Sequence, residues 1–216
     1  MSWPGALLVV VGLGTLPGCN IVRGLGVLFA PPQVQKAEYK LTPGRLAVLV
    51  ETRRPEDYNP VFVDALQTRL QEIFTEEEIK TQIVPQEEIL RLRQQNPDFA
   101  RWSLQKIGRS LNAPYVLSLS IEQLQLRASP EVPVLEPQVR MKAKLIGSNA
   151  PAERARLWPT SAEREGRAMF VKRPAVEASS PIVFDEQAAK LGRDTAWEVA
   201  GPFHDVDLET VHMREP

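Results

Sequence analysis

The chain has 216 residues, of which 43% are hydrophobic and 25% are charged, and its formal net charge is −1. This composition is typical of a globular protein with its own core, and the near-neutral balance argues against nucleic acid as a partner. The unusual features are 19 prolines and a single cysteine, Cys19. A lone cysteine cannot form an internal disulfide, so we expect it to have another chemical role.

An apolar run over residues 6–16 opens the chain and leads into Leu16-Pro17-Gly18-Cys19. The run is shorter than the roughly 20 apolar residues that a permanent membrane-spanning helix needs. It fits the roughly 7–15 apolar residues of a signal-peptide core. Glycine and proline near its end disfavour a helix where a peptidase requires extended backbone. These features predict a signal peptide over residues 1–18, cleaved before Cys19.

The residues around this predicted cleavage point resemble the lipobox of bacterial lipoproteins. Leu16, Gly18 and Cys19 match its large aliphatic, small and cysteine positions, whereas Pro17 is unusual for it. The resemblance implies that Cys19 carries a diacylglycerol on its sulfur and an acyl chain on its new amine. Several lipid chains make membrane attachment stable, whereas one chain binds only marginally. Asn20 is not the aspartate associated with inner-membrane retention, so the outer membrane is favoured.

Two other interpretations of the opening stretch stay open. It is compatible with a buried strand that carries one core thiol, because free cysteine often behaves as a small hydrophobic residue. The spacing of Gly12 and Gly14 after three valines also suggests a dinucleotide-binding loop. Pro17 and Gly18 interrupt the helix that such a loop needs for holding phosphates, which argues against nucleotide binding.

Residues 19–44 are predicted to form a lipidated tether, because glycines and prolines interrupt them and no periodic apolar face runs through them. An α/β domain is predicted over residues 45–205, with a polar tail at 206–216. Its predicted strands are 46–50, 80–84, 115–122 (followed by a bulge) and 139–145, which alternates between inward apolar and outward charged side chains, with edge pieces at 155–159 and 167–171. Its predicted helices begin after Asn59-Pro60, at residue 86, after the cap Asp98 and after the cap Asp185. The first of them carries an apolar stripe formed by Phe62, Leu66, Leu70 and Ile73. This order of strands and helices predicts a single mixed sheet with helices packed against it.

The segment Ile107–Ile121 resembles the helix-turn-strand segment of small bacterial envelope domains. These are the amino-terminal domain of TolB, the curli-export lipoprotein CsgG, and the LpoB-type lipoproteins that activate peptidoglycan synthases. The resemblance extends over about residues 45–203 and implies their α/β fold more than a shared function. Three prolines between Arg127 and Gln138 are unfavourable for the membrane hairpins of a pore, so no channel is predicted.

Few residues suggest catalytic chemistry. His204 and His212 lie in the polar stretch after Phe203 and are expected to be solvated, so a zinc site or a nucleophile–histidine pair is not predicted, and neither is a cofactor. Arg53, Arg54 and Asp57 follow the first strand, where ligands often bind open α/β sheets, and form a candidate binding patch. Their alternative roles are in turns and helix caps. Two roles are open for Trp102, Trp158 and Trp197. They are candidate anchors of a protein interface, or they pack in the core of the domain.

The sequence therefore predicts a lipid-anchored, periplasm-facing envelope protein without enzymatic activity, which binds envelope proteins. Binding to further copies of itself is left open. Two alternatives remain. One is a ligand-binding or hydrolytic enzyme that uses a pocket near Arg53 and Arg54, and the other is a subunit of an export assembly.

Overall fold

The computed structural model describes residues 34–127, 133–160, 165–177 and 180–207. The predicted signal peptide, Cys19, residues 20–33 and His212 lie outside these ranges. One compact unit spans Val34–Val206. Within the described ranges, none of the helices combines the length and apolar character needed to cross a membrane.

Three of the four α-helices in the described chain alternate with shorter strands before two long strands, and the fourth helix follows the strands of the main sheet. The strands are β1 (Val34–Gln35), β2 (Gly44–Thr52), β3 (Thr81–Ile83), β4 (Tyr115–Arg127), β5 (Val134–Gly147), β6 (Arg156–Trp158), β7 (Arg167–Lys172), β8 (Val176–Glu177) and β9 (Val206–Asp207). The helices are α1 (Pro60–Glu76), α2 (Gln86–Gln95), α3 (Leu104–Ser110) and α4 (Pro181–Ala200).

Seven of these strands form one mixed sheet, in the order β3-β2-β4-β5, with β6, β7 and β8 each pairing with β5. Strand β2 runs parallel to β3 and β4, whereas β5 is antiparallel to β4 and to its three other partners. Strands β1 and β9 form a separate two-stranded sheet. The predicted α/β fold with a single mixed main sheet is confirmed.

Helices α1 and α4 cover one face of the main sheet. The predicted start of α1 is confirmed, since Asn59 Oδ1 accepts a hydrogen bond from the Phe62 amide at 3.0 Å and Pro60 opens the helix. The buried side of α1 carries an apolar stripe at helical spacing, comprising Phe62, Leu66, Leu70 and Ile73. Gly192 of α4 lies against this helix so closely that a Cβ there would be 2.5 Å from the Phe62 carbonyl oxygen.

Helices α2 and α3 pack on the opposite face, but only over one end of it. The cluster there joins the helix residues Ile89 and Ile107 with Phe99, and its strand residues include Ala47, Leu49 and Val116, with Ile146 beside them. The rest of this face, formed by β4, β5 and β7, lies beyond that cluster. The fold therefore encloses one face of the sheet and only part of the other.

Two predicted helix caps were wrong. Ser103, not Asp98, caps α3, with its Oγ accepting from the Lys106 amide at 3.2 Å. Ser180 caps α4, which begins at Pro181 rather than after Asp185. Ser-Pro at this point repeats the physical pattern of Asn59-Pro60, in which a small polar acceptor precedes a proline suited to the first helical position.

The hairpin of β4 and β5 is longer than predicted. The bulge after Ile121 is confirmed by a register shift between Ile121 and Gln123. Strand β4 then continues to Arg127, and Pro137 lies within β5 rather than in a connection. Pro137 is accommodated because a second irregularity in the ladder lies beside it, and its carbonyl accepts from the Arg173 amide at 2.9 Å.

Residues 36–39, which we call the strap, are hydrogen-bonded to the end of the domain. The Glu38 and Tyr39 amides donate to the Pro202 carbonyl at 2.9 and 3.0 Å. Asp205 accepts from the Ala37 amide and from Lys36, each at 2.9 Å. The described end of the predicted tether is thus part of the folded unit.

His204 is buried, so the prediction of a solvated side chain was wrong. His204 is only 8% exposed, and its Nδ1 lies 3.2 Å from the Ala200 carbonyl oxygen. The reason is a short turn, Gly201–Phe203, which follows α4 and returns the chain to the core, where Phe203 is buried.

Candidate functional site

Arg54 and Asp57 form an ion pair in which two hydrogen bonds join the guanidinium to the carboxylate. Arg54 donates from Nε and Nη2 to the Asp57 carboxylate at 2.8 and 3.0 Å, and the Leu124 amide donates to Asp57 Oδ1 at 3.1 Å. Asp57 is only 2% exposed. Burial raises the pKa of its carboxyl, but the hydrogen bonds from Arg54 and Leu124 outweigh burial and hold the pKa below its ordinary value. Both carboxylate oxygens therefore accept hydrogen bonds, and Oδ1 holds the 55–57 turn to β4.

Arg53 belongs to a different group of charges. Its guanidinium lies 3.4 Å from Glu122 and 3.7 Å from Glu165. Lys142 contacts the same two carboxylates, which raises the pKa of its amine through the hydrogen bonds to Glu165 and Glu122. The predicted patch of Arg53, Arg54 and Asp57 is thus divided between a structural ion pair and a network of four charged side chains.

This network lies on the part of the sheet that the helices leave uncovered, which we call the helix-free face. Residues directly opposite one another in neighbouring antiparallel strands share a face. The pairs Ser120–Lys142, Gln123–Arg140 and Gln125–Gln138 join β4 to β5, and Lys142–Ala168, Arg140–Phe170 and Gln138–Lys172 join β5 to β7. The side chains of these three strands therefore form one continuous surface.

Alternation along the strands explains why these side chains point outward. In β5, Val139 and Met141 are buried on either side of exposed Arg140, and in β7, Met169 and Val171 pack against the core on either side of Phe170. The bulge at Glu122 makes the next residue, Gln123, share the outward face. The outward direction of the charged and aromatic side chains thus follows from strand periodicity and one bulge.

The outer part of this face is centred on Phe170, and we call it the Phe170 patch: Gln123, Gln125, Gln138, Arg140, Phe170 and Lys172. Phe170 is 53% exposed, and the Arg140 guanidinium carbon lies 5.3 Å from the centre of its ring. Gln125 Oε1 accepts hydrogen bonds from the amides of Gln123 at 3.2 Å and Gln138 at 3.1 Å. The patch combines an exposed aromatic ring, a row of amides and two cations.

Phe170 was missed in the prediction from sequence. Residues 167–171 were taken only as an edge piece of the sheet. The signal was present in the alternation of β7, because Phe170 points to the same side as exposed Ala168 and Lys172 and away from the half-buried Met169 and Val171. An aromatic residue on the polar phase of a strand indicates an exposed ring.

The predicted tryptophans pack within the domain. Trp158 is 2% exposed, and its Nε1 donates to Glu38 of the strap at 2.9 Å. Trp102 lies against Phe99 and under Lys106, whose Nζ is 3.7 Å from the ring centre, and Trp197 lies against Arg69. Core and half-buried packing accounts for these rings.

The described ranges contain no group of three or more His, Cys, Asp or Glu side chains placed to hold a metal ion. Two cavities, of about 730 and 280 Å³, lie beside strand β3 at the other edge of the sheet. Arg53, Arg54 and Asp57 line neither of them. The helix-free face is thus not part of either cavity.

No protein-family profile matches the chain, and neither does any curated protein. Several solved structures are similar to it. The PelC dodecamer from Paraburkholderia phytofirmans is 16% identical, with 80% of this chain and 96% of that chain covered and a TM-score of 0.40. The lipoprotein GNA1162 from Neisseria meningitidis is 13% identical, with 71% of this chain and 99% of that chain covered and a TM-score of 0.42. The LpoB C-terminal domain from Salmonella enterica is 18% identical, with 65% of this chain and 87% of that chain covered and a TM-score of 0.33. LpoB and TolB, which the resemblance in the sequence named, are both among the structures similar to this chain. Function is argued below from this chain's own residues.

Proposed function

We propose that this chain is a lipid-anchored protein of the bacterial envelope, without enzymatic activity, which binds a partner protein through its helix-free face. The observation that carries the proposal is the exposure of Phe170 beside Arg140 on a surface that helices of the described domain do not cover. Aromatic and arginine side chains contribute most to binding energy in protein interfaces. An exposed ring that already contacts a guanidinium is a suitable centre for such an interface.

The anchor in this proposal is Cys19, after cleavage of the signal peptide between Gly18 and Cys19. Cys19 precedes Val34, where the domain begins, by 15 residues (34 − 19). Such a length of chain reaches at most about 50 Å. The domain is then confined to a thin layer next to the membrane, on the periplasmic side and preferably at the outer membrane, and its effective concentration toward partners there rises.

The anchor is tested by replacing Cys19 with alanine in the full-length chain expressed in a bacterial host. We expect the unchanged protein and a control variant, Ile21→Ala, to fractionate with membranes and to take up labelled fatty acid. Cys19→Ala should lose the label and leave the membrane fraction, because the sulfur that holds the glyceride is gone. Equal membrane association and labelling of both variants would refute the anchor.

The two alternatives from the sequence receive less support. An enzyme near Arg53 and Arg54 would need polar groups free to meet a substrate, whereas the Asp57 carboxylate is committed to Arg54 and Leu124. A subunit of an export assembly stays a prediction, as does self-association. Analytical ultracentrifugation of the chain over a range of concentrations tests self-association directly.

A further inference from the structure

We infer that the helix-free face binds an acidic protein surface, with the Phe170 patch as the point of contact. This inference rests on the proposed function and adds to it the chemistry of the partner. Three properties of the Phe170 patch support it, namely its positive charge, its surplus of hydrogen-bond donors and its location away from the two cavities beside β3.

The charges of the face fall into two groups. Arg53 and Lys142 are balanced by Glu122 and Glu165, so this inner network is neutral. Outside it, Arg140 and Lys172 of the Phe170 patch take part in none of the ion pairs within the described ranges. Three carboxylates share the outward side of the sheet but lie outside the patch, namely Glu51 of β2, Glu136 of β5 and Glu177 of β8. The patch itself holds two cations and no carboxylate, so its charge is positive and favours an anionic group of the partner there.

The Phe170 patch also has more donors than acceptors. Gln123 and Gln138 each use one amide N–H on Gln125, so each keeps a second N–H for another acceptor. Arg140 and Lys172 bring only donors. A partner that presents carboxylates satisfies both the charge and the hydrogen bonds, and it can pack its apolar atoms on the Phe170 ring.

The location of the patch favours a protein surface over a small acidic ligand. Small ligands bind in concave sites that enclose most of their surface. The two cavities described above lie beside β3, at the opposite edge of the sheet from β7. An extended strand surface with an aromatic and an arginine side chain at its centre has the composition of a protein interface core.

A photo-crosslinking experiment in cells tests the inference. A benzoyl-phenylalanine is introduced in place of Ala168, an exposed residue of the helix-free face next to Phe170, in the full-length membrane-anchored chain. The same benzoyl-phenylalanine at position 168 is also introduced into the double variants Arg140→Glu/Lys172→Glu and Lys80→Glu/Arg91→Glu. The second double variant makes the same change in net charge at exposed positions outside the face. Thermal unfolding of each purified domain establishes that it is folded.

We expect a protein adduct with the unchanged chain and with Lys80→Glu/Arg91→Glu, and a loss of about tenfold or more with Arg140→Glu/Lys172→Glu. The charge-conserving variant Arg140→Lys/Lys172→Arg should keep most of the adduct. An adduct that persists in Arg140→Glu/Lys172→Glu would overturn the acidic partner while leaving the interaction face in place. A lipid or glycan adduct would also overturn it. Failure to obtain any adduct at residue 168 would refute the proposed binding face itself.

Discussion

The carboxylate of Asp57 shows how a single buried charge holds a surface turn to the sheet. It accepts three hydrogen bonds, two from Arg54 and one from the Leu124 amide, beside the bulge in β4. A buried carboxylate is stable only when such partners replace its hydration. The sequence indicated turn and capping roles for this residue as the alternative to a ligand site. It could not identify Leu124, which is distant in sequence and brought near by the pairing of β2 with β4.

Replacing Asp57 with asparagine should lower the free energy of unfolding by about 1–3 kcal/mol at neutral pH, because Arg54 loses its charged acceptor. The pKa of Asp57 is lowered in the folded protein, so its stabilising effect is present above the ordinary carboxylate pKa and is lost as pH falls through the folded pKa. The difference between the two proteins should therefore shrink below about pH 4. Urea unfolding of both at about pH 7 and about pH 3 measures it.

The exposed neighbour Glu56 supplies the control for this experiment. Glu56→Gln should leave the free energy of unfolding nearly unchanged, because its carboxylate is exposed and lies 3.8 Å from Arg54. A difference between wild type and Asp57→Asn that is as large in acid as at neutral pH would contradict the role of the Asp57 charge.

At the scale of elements, the sequence predicted most of what local chemistry determines. The first strand, the capped start of α1 with its apolar stripe, and the alternation of β5 followed from hydrophobic periodicity and from Asn59-Pro60. The start of α4 was misplaced because Asp185 was chosen as the cap, although Ser180-Pro181 carries the stronger pattern. The length of the β4–β5 hairpin was underestimated because Pro137 was taken as a break, whereas a ladder irregularity accommodates it.

The close contact between α1 and α4 gives a prediction at this scale. In Gly192→Ala the new methyl group would meet the Phe62 carbonyl at 2.5 Å and Ala65 at 3.1 Å, so the two helices must separate. We expect a loss of about 1–3 kcal/mol in the free energy of unfolding, which outweighs the gain in helix propensity of about 1 kcal/mol. Chemical denaturation measures this loss.

Gly201→Ala is the matched control, since a Cβ there has no atom within 4 Å and Gly201 has an ordinary φ of −46°. It should be neutral or slightly stabilising. Equal stability of Gly192→Ala and Gly201→Ala would show that the contact between the two helices does not depend on glycine.

At the scale of the whole molecule, the sequence predicted the architecture but not the binding surface. Which strands lie side by side, and which face the helices leave open, depends on contacts between distant segments. Local patterns therefore pointed to Arg53, Arg54 and Asp57 near the end of β2, while the exposed Phe170 in a later strand was overlooked. The burial of His204 likewise depends on the return of the chain after α4.

We propose a folded α/β domain that is held at a membrane by its single cysteine and binds a neighbouring protein there. Mass spectrometry of the amino-terminal peptide of the native protein, purified from bacterial membranes, tests the anchor. We expect a mature chain that begins at Cys19, with a diacylglycerol on the sulfur and an acyl chain on the amine. A chain that begins upstream of Cys19 and carries a free thiol there would show that the anchor is wrong.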